Sequence, residues 1–362
     1  MEIAVLGGGH GCHAAAAELS ENRHGVRFWR RDGEALEPIR KTGAIRLKDF
    51  KGERNIPISV VTDDLKAAVA GAALIVIPLP STSHENLARA LAPHLTDGQV
   101  IFLPPGTFGS YIFAKAVKDA GTGADVSFAE TGTLPYLARK HGPDYVVVSA
   151  YAKRLPTGVF PARNSEHAWS VISRAYPAME KSEDALSGAL MNAGGIIHPP
   201  LIMMNAGPLE HFEHWDIHNE GTQPAIRRVT DALDAERIAL RTELGYAAPH
   251  FPLADHYAKE GEEWMYGRGA HDKLTDSGDW REHIVLTEHR YMLEDTRFGL
   301  SLISSVGKWA GVPTPIAAGF LAIASAIVGR DLYAEGRTLE SLGLDALSRE
   351  GMRQLLQEGF TL

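Results

Sequence analysis

Cysteine, basic charge and long apolar runs are all scarce in this 362-residue chain. Its single cysteine, Cys12, excludes an internal disulfide framework and suits a reducing compartment. With 36 basic against 45 acidic residues, the chain lacks the basic face that nucleic-acid binding requires. No apolar run reaches the roughly 18 to 20 residues that span a bilayer, and the start lacks the pattern of a signal peptide. These absences predict a cytoplasmic protein with neither nucleic-acid nor membrane partners.

The first half of the chain alternates short apolar runs with stretches of helical character. The predicted strands are Ile3–Leu6, Val26–Trp29, Ile58–Val61, Leu74–Ile77, Val100–Leu103 and Val126–Phe128. The predicted helices between them are Ala14–Ser20, Leu65–Ala70, His84–Leu91 and Tyr111–Ala120. Apolar strands without polar alternation, each followed by a helix, indicate burial on both faces. The predicted fold class is α/β, beginning with a doubly wound parallel Rossmann sheet, which Tyr145–Ser149 and Thr157–Phe160 would extend.

The pattern changes near Ser182, where strand signals almost vanish. Helical periodicity then dominates, in the stretches Asp184–Ile197, Ala225–Leu244, Arg281–Ala310 and Ala317–Val328. We predict a dinucleotide-binding domain over residues 1–180. An all-helical second domain over residues 181–362 would carry the substrate, catalytic and dimerisation residues.

A glycine-rich turn follows the first predicted strand, in the order Gly-x-Gly-x-x before a helix. Gly7 allows the tight turn, and Gly9 lets the backbone approach a pyrophosphate at the helix N-terminus. His10 and Gly11 complete the turn. Cys12 takes the third glycine position, where a small residue still lets the helix pack on the strand. The turn predicts a dinucleotide site, with a bare glycine turn as the alternative.

The second predicted strand ends in Arg30, Arg31 and Asp32. An NAD enzyme usually places Asp or Glu at the end of this strand, on the ribose 2′-hydroxyl. A guanidinium at Arg30 suits a 2′-phosphate instead. The sequence therefore favours NADP, with NAD possible. The alternative is that the two arginines are solvated and Asp32 binds the ribose.

Other strand ends should line the same edge of the sheet. Pro78 follows one strand, Pro105 and Gly106 follow another, and Glu130 follows a third. We expect these residues to contact the nicotinamide half of the cofactor. Their alternative role is simply to end strands.

Reduction of a C=O or C=N bond needs a proton donor, and an anionic substrate needs a cation. His198 lies at the end of an apolar helical segment and is followed by two prolines. Arg290 and Asp295 lie on a long predicted helix, five residues and about 140° apart. The alternative role of Arg290 is a surface pair with Glu294. Composition and spacing leave open whether His198 is catalytic or a buried core histidine.

The chain resembles the opine dehydrogenase family, which includes octopine and nopaline dehydrogenases, and is most similar to its bacterial carboxyethyl-norvaline members. The resemblance covers nearly the whole length. It rests on the glycine turn and on Pro105-Gly106, Glu130-Thr131, His198-Pro199, Asp234–Ala239, Arg290-Tyr291, Glu294-Asp295, Val312–Pro315 and Glu335–Glu340.

The resemblance implies NAD(P)H-dependent reductive condensation of an amino acid with an α-keto acid through an imine. It implies that His198 is the acid/base residue, that Asp295 is its partner and that Arg290 holds a substrate carboxylate. The small-molecule partners would be the amino acid and the keto acid.

Two departures stand out. Pro104 lies where the family tends to have Asn. The segment from His211 to His218 is unusually rich in histidine and aromatic residues. It is interpreted as a solvated loop, as a substrate pocket, or as a metal site from His214 and His218 at helical spacing. No metal is predicted.

Two other functions remain open. One is a dehydrogenase for a 2-hydroxy or keto acid, such as a ketopantoate or glycerol-phosphate reducer, although the helical half offers no comparably placed lysine near His198. The other is a non-catalytic module that senses a dinucleotide. The apolar stretch Ile316–Val328 is either core or a dimer face, and we predict a homodimer.

Overall fold

The computed structural model describes residues 1–360 and divides into two compact units. The first unit contains Met1–Ala189 and the chain from Gln354 onward, and the second contains Leu190–Arg353. The division therefore comes after Ala189 rather than after residue 180, and the end of the chain returns to the first unit.

The first unit is built of strands and helices in alternation. Its strands are β1 (Glu2–Leu6), β2 (Gly25–Trp29), β3 (Ala44–Asp49), β4 (Gly52–Pro57), β5 (Val60–Thr62), β6 (Leu74–Val76), β7 (Val100–Leu103), β8 (Ser127–Thr131), β9 (Tyr136–Gly142), β10 (Tyr145–Tyr151), β11 (Leu155–Phe160) and β12 (Met179–Lys181). Its helices are α1 (His10–Glu21), α2 (Glu37–Thr42), α3 (Leu65–Val69), α4 (His84–Leu91), α5 (Gly109–Ala120), α6 (Ser165–Ala175) and α7 (Ala185–Ala189). Short 3₁₀ turns lie at Glu34–Leu36, Ser81–Ser83, Ala92–His94 and Ala162–Asn164.

The main sheet has eight strands in the order β12-β11-β8-β7-β6-β1-β2-β5. Strand β1 lies between β2 and β6, with Ile3 opposite Val26 on one side and Leu74 on the other. The central strands are parallel, so their carboxyl ends share one edge, and the apolar runs are buried on both faces. The predicted Rossmann fold class is confirmed.

The prediction that Thr157–Phe160 extends this sheet is confirmed, but its direction is reversed. Strand β11 pairs antiparallel with β8, so the sheet is mixed rather than wholly parallel. The antiparallel direction of β11 follows from the segment that connects it to β8. Strands β9 and β10 form an antiparallel pair between β8 and β11, whereas a parallel pairing needs a crossover that is usually helical.

The prediction for Tyr145–Ser149 was wrong about the sheet. This segment belongs to β10, in a second sheet with the order β4-β3-β10-β9. Its side chains alternate between buried and half-buried positions, as expected of a strand with one face on the core. The β3–β4 hairpin escaped prediction because Gly52–Pro57 is mostly polar.

Helix α1 lies between the two sheets, since it contacts β1 and β2 of one and β3, β9 and β10 of the other. Ala14–Ala17 are therefore completely buried. Small side chains let both sheets approach the helix closely. This packing attaches the second sheet to the glycine turn that precedes α1.

The second unit contains helices and no strand within residues 190–353, as predicted. Its helices are α8 (Gly194–Met204), α9 (Ala206–His211), α10 (Pro224–Glu243), α11 (Ala254–Tyr257), α12 (Ala270–Asp276), a π-helix (Tyr291–Leu300), α13 (Ser301–Ala310), α14 (Pro315–Val328), α15 (Leu339–Leu342) and α16 (Arg349–Glu358), the last of which crosses the division.

Two predicted helices differ from the structure. Helix α8 continues through Pro199 and Pro200, both buried, instead of ending at His198. The stretch from Arg281 is irregular up to about Arg290 and is then π-helical rather than α-helical. Helix α8 packs against the π-helix, α10 and α14, and this packing offsets the backbone hydrogen bonds that the prolines cannot donate.

The family motif at Asp234–Ala239 is structural. Within α10, Asp234 Oδ1 accepts from Arg237 Nε at 2.6 Å, and Oδ2 accepts from the Leu253 backbone N–H at 2.7 Å. Glu236 accepts from the N–H groups of Ile316 and Ala317 at the start of α14. Across residues 1–360, no helix has both the length and the apolar character needed to cross a membrane.

Candidate active site

The glycine turn joins β1 to α1 at the carboxyl edge of the main sheet. Gly7 has a φ of +119°, and a Cβ placed on it would lie 2.4 Å from Leu79 Cδ2. A Cβ on Gly11 would lie 2.6 Å from Leu134 Cδ1. Glycine is therefore required at position 7 by both backbone conformation and packing, whereas a side chain at position 11 would displace Leu134.

Gly9 differs from these two glycines. Its φ is an ordinary −78°, and a Cβ placed on it would meet no atom within 4 Å. It also precedes α1 without a side-chain cap. At Gly9 the backbone and the N-terminus of α1 therefore face open space. Free backbone N–H groups at a helix N-terminus are suited to binding a pyrophosphate.

Cys12 lies beneath the turn. It is completely buried, and its Sγ is 3.5 Å from the carbonyl oxygen of Pro78 and 3.6 Å from that of Leu6. Burial raises the pKa of this thiol to about 12, so it is not a nucleophile. Cys12 and Pro78 form the packing under the turn, and Cys12 itself is not exposed to a ligand.

The end of β2 places Arg30 over the turn, since a Cβ on Gly8 would lie 2.7 Å from Arg30 Cδ. Arg31 is exposed. Asp32 Oδ2 lies 3.7 Å from Arg30 Nη2, and Asp32 Oδ1 accepts from the Ala35 N–H at 3.4 Å. His10 Nδ1 accepts from the backbone N–H of Lys140 on β9 at 2.8 Å.

Glu130 supports the turn after β7. It is completely buried and accepts from the Phe108 N–H at 2.7 Å and from the N–H and hydroxyl of Ser110. A Cβ on Gly106 would lie 2.3 Å from Glu130 Oε2. Glu130 therefore shapes the turn containing Pro105 and Gly106 and caps the start of α5, so it would act on a cofactor only through that turn.

His198 and Asp295 form a close pair in the second unit. His198 Nδ1 lies 2.8 Å from Asp295 Oδ2, and their side chains are 13% and 9% exposed. Burial raises the pKa of Asp295 to about 7, against the lowering effect of the Arg290 charge. The two groups come from segments 97 residues apart, and the resulting pair suits proton exchange near neutral pH.

Glycines allow this approach. A Cβ on Gly194 would lie 2.3 Å from Asp295 Oδ1, and a Cβ on Gly299 would lie 2.9 Å from the Cα of Gly195. Helix α8 and the π-helix therefore meet backbone to backbone. No larger residue at these positions would leave His198 and Asp295 where they are.

Tyr291 and His218 also contact the pair, and sequence reasoning missed both roles. The Tyr291 ring stacks on His198 with centroids 3.8 Å apart and planes at 17°. The His218 ring meets His198 edge-on at 5.7 Å. Both residues lie in segments that the sequence had singled out. Tyr291 directly follows Arg290 in a family motif, and His218 lies in the unusual histidine-rich segment.

Arg290 directly precedes the π-helix. π-Helical hydrogen bonds join residues five apart, so Arg290 and Asp295 stand about one turn from each other. The predicted 140° separation is therefore wrong, because it assumed an α-helix. Arg290 is exposed, and its Cζ lies 5.4 Å from the centroid of the Tyr291 ring.

The segment from His211 to His218 divides into two parts. Phe212 to His214 are exposed, whereas Asp216 to His218 are buried. Helix α9 ends at His211, so His214 and His218 do not share a helical face, as the metal interpretation required. Within residues 1–360, no group of three or more His, Cys, Asp or Glu side chains is arranged to hold a metal ion.

Known families match both parts of the chain. A model described as NAD/NADP octopine/nopaline dehydrogenase, alpha-helical domain, matches residues 181–328. A model of the N-terminus of NAD-dependent glycerol-3-phosphate dehydrogenase matches residues 2–106. An opine dehydrogenase of Arthrobacter sp. (strain 1C) is 29% identical over 360 residues, which cover 98% of each chain. The chain is therefore similar to an opine dehydrogenase over nearly its whole length.

Solved structures agree with this fold. An octopine dehydrogenase in complex with NADH and agmatine superposes with a TM-score of 0.72 at 17% identity, covering 99% of this chain and 98% of that one. An NADP⁺-bound yersinopine dehydrogenase superposes with a TM-score of 0.64 at 14% identity, covering 99% and 98%.

These matches confirm the predicted resemblance to opine dehydrogenases and the predicted NAD(P)-dependent oxidoreductase. The glycerol-phosphate model covers residues 2–106, which include the glycine turn after β1. The opine model instead covers His198 and Asp295. The family model therefore covers both members of the His198–Asp295 pair.

Proposed function

We propose that this protein is an opine dehydrogenase, which condenses an amino acid with an α-keto acid and reduces the resulting imine to a secondary amine dicarboxylate. The observation that carries the proposal is the 2.8 Å contact between His198 Nδ1 and Asp295 Oδ2, one turn from Arg290. NAD(P)H supplies the hydride when bound, and Gly9 with the N-terminus of α1 would hold its pyrophosphate.

Asp295 orients His198. When Nδ1 donates to the Asp295 carboxylate, Nε2 is the ring nitrogen that exchanges a proton with substrate. Stacking on Tyr291 restrains rotation of the imidazole. His198 Nε2 accepts a proton from the substrate ammonium, which gives the amine that attacks the keto carbon, and returns a proton as water leaves.

Arg290 binds the carboxylate of the keto acid. A guanidinium forms two parallel hydrogen bonds with a carboxylate, which orients as well as holds it. Because Arg290 is exposed and one turn from Asp295, its substrate would be held beside the proton-exchanging pair. The overall balance is one amino acid, one keto acid, NAD(P)H and a proton giving the opine, NAD(P)⁺ and water.

The test is oxidation of NADPH, followed by absorbance, with pyruvate alone and with pyruvate plus each of a panel of amino acids. We expect the rate to depend on the amine and to fall about 10²- to 10⁴-fold in His198→Asn. His214→Asn is the matched control, since the side chain of His214 is 58% exposed. A rate independent of the amine would instead favour a keto-acid reductase.

NADP is proposed as the preferred cofactor. Arg30 lies over Gly8, while the Asp32 carboxylate is engaged by the Ala35 N–H and lies near Arg30. A cation at the end of β2 favours a 2′-phosphate over a ribose hydroxyl. Titration with NADPH and NADH measures this preference directly.

A homodimer formed through α14 is also proposed. The helix contains no charged residue between Pro315 and Val328, yet Ala318, Ala322 and Ile323 are exposed on it. An apolar face of this kind is typical of a subunit contact. Light scattering should give the mass of two chains for the wild type and of one chain for Ile323→Arg, and a wild-type monomer would contradict the proposal.

A cytoplasmic location is proposed as well, because Cys12 is a buried thiol and the cofactor is a cellular reductant. Cell fractionation with an antibody against the protein tests it.

A further inference from the structure

Lys140 brings the second sheet to the glycine turn of the first unit. Its backbone N–H donates to His10 Nδ1 at 2.8 Å, and its Nζ donates to the carbonyl oxygen of Gly8 at 3.3 Å. His13 joins the same parts, since its ring nitrogens lie 3.0 Å from the carbonyl oxygens of Gly9 and Pro143. The β9–β10 hairpin is thus held against the turn.

Arg30 reaches the same residue from the main sheet. A Cβ on Gly8 would lie 2.7 Å from Arg30 Cδ and 3.0 Å from its Cζ. A side chain at position 8 would displace the guanidinium. Arg30 and Lys140 therefore converge on Gly8, one from β2 and the other from β9.

This convergence of two cations has an electrostatic cost. Burial and the charge of Arg30 lower the pKa of Lys140. Two carboxylates compensate in part: Asp32 lies 3.7 Å from Arg30, and Asp144 favours the charged form of Lys140. A bound anion would reduce the repulsion between these two cations. A phosphate monoester is such an anion, since it carries nearly two negative charges at pH 7.

We infer that Lys140 is a second specificity-determining residue, which binds the 2′-phosphate of NADP together with Arg30. The inference rests on the proposed preference for NADP. A residue of the second sheet would then contribute to the discrimination between NADP and NAD. The residues that determine this preference usually lie in the β1–α1–β2 segment. Lys140 also reaches the glycine turn from a segment about 130 positions away.

The test is a binding titration of Lys140→Gln with NADPH and with NADH, followed by quenching of protein fluorescence. Loss of one charge-assisted hydrogen bond should raise the Kd for NADPH about 10- to 100-fold. The Kd for NADH should change less than about twofold, since the 2′-hydroxyl carries no charge. Lys48→Gln is the matched control, because Lys48 is exposed on β3 of the same sheet.

Two adenosine monophosphates identify the phosphate. Adenosine 2′-monophosphate should raise the Tm of the wild type and of Lys48→Gln but not of Lys140→Gln. Adenosine 5′-monophosphate should act on all three alike. Lys140→Arg, which keeps the charge, should retain most of the NADPH affinity, and circular dichroism checks that each variant folds.

Equal weakening of NADPH and NADH in Lys140→Gln would show that Lys140 only supports the turn, and would overturn the inference. A wild type that binds both cofactors equally would also overturn it. Neither result depends on catalysis, whereas amine-independent oxidation would contradict the proposed reaction and leave the binding ratio intact.

Discussion

Gly195 and Gly299 bring α8 and the π-helix into backbone contact, since a Cβ on Gly299 would lie 2.9 Å from the Cα of Gly195. The proposed acid/base pair lies close to these glycines in the chain: His198 is three residues after Gly195 in α8, and Asp295 is four residues before Gly299 in the π-helix. The separation of the two helices therefore sets the separation of the pair.

Gly299→Ala should separate the helices and lengthen the contact between His198 and Asp295. Overpacking of this kind costs about 1–3 kcal/mol in stability. A displacement of about 1 Å in the pair should lower kcat about 10²-fold. Steady-state kinetics measure kcat, and NADPH titration should give an unchanged Kd, because the proposed cofactor residues are in the other unit.

The control for this change is Gly207→Ala in α9, where a Cβ would meet no atom within 4 Å. That variant should keep the wild-type kcat. If Gly299→Ala were equally active, the glycine contact would not govern the pair.

Gly9→Ala should leave the fold intact and weaken cofactor binding. Its φ of −78° suits any residue, and the added Cβ would occupy open space. That space is where the pyrophosphate would approach the backbone, so the Kd values for NADPH and NADH should both rise, by about tenfold or more. Thermal unfolding and fluorescence titration separate the two effects.

Gly7→Ala provides the contrast, because its φ is +119° and its Cβ would lie 2.4 Å from Leu79 Cδ2. That variant should lose stability as well as affinity. A Gly9→Ala variant that binds both cofactors normally would move the pyrophosphate away from this turn.

Glu130→Gln should destabilise the first unit. The Glu130 carboxylate accepts from the Phe108 N–H and from two donors of Ser110, and an amide group would oppose at least one of these donors. A buried donor left unsatisfied costs about 1–3 kcal/mol, measurable as a lower free energy of unfolding in urea.

Glu166→Gln is the control for that change, since the Glu166 side chain is 83% exposed and its pair with Lys181 is a surface one. It should change the free energy of unfolding by less than about 1 kcal/mol. Equal stability of the Glu130 and Glu166 variants would show that the buried carboxylate does not hold the turn.

Glu18→Gln should alter how stability depends on pH. Burial raises the pKa of Glu18 to about 7, against a hydrogen bond donated by the Tyr136 hydroxyl at 2.7 Å. The folded state therefore holds a proton that the unfolded chain has released above about pH 4.3. This contribution to stability is complete below that pH and is lost as the pH rises through about 7.

Thermal unfolding at pH 5 and pH 8.5 measures the effect. The wild type should lose more stability than Glu18→Gln over this interval. Glu21→Gln is the control, because a hydrogen bond from Arg54 lowers the pKa of Glu21 and its contribution is lost only at lower pH. Parallel pH profiles for the wild type and Glu18→Gln would contradict the prediction.

Much of the first unit could be predicted from local pattern. Apolar runs such as Ile3–Leu6 and Val100–Leu103 are buried on both faces, and that burial is what removes polar alternation from a strand. The β3–β4 hairpin lacked this signal because one of its strands is mostly polar and lies on a smaller sheet. Tyr145–Ser149 was assigned to the wrong sheet, since its composition does not reveal which strand it pairs with.

The candidate site could also be predicted only in part from the sequence. Residue types and family motifs indicated His198, Asp295 and Arg290, and the glycine pattern indicated the dinucleotide turn. The pattern did not distinguish Gly9, which faces open space, from Gly7, which packing requires. It placed Arg290 and Asp295 on an α-helix, whereas the backbone there is π-helical.

By itself, the sequence determined the Rossmann architecture and the helical second half, because burial and backbone preference leave local patterns. It indicated the candidate catalytic groups through residue type and the resemblance to a family. Only the tertiary structure decided that His198 meets Asp295, that Tyr291 stacks on the imidazole, and that Lys140 reaches Gly8. Each of these contacts depends on how closely distant backbones approach, as Gly195 and Gly299 do, and a local pattern does not record that approach.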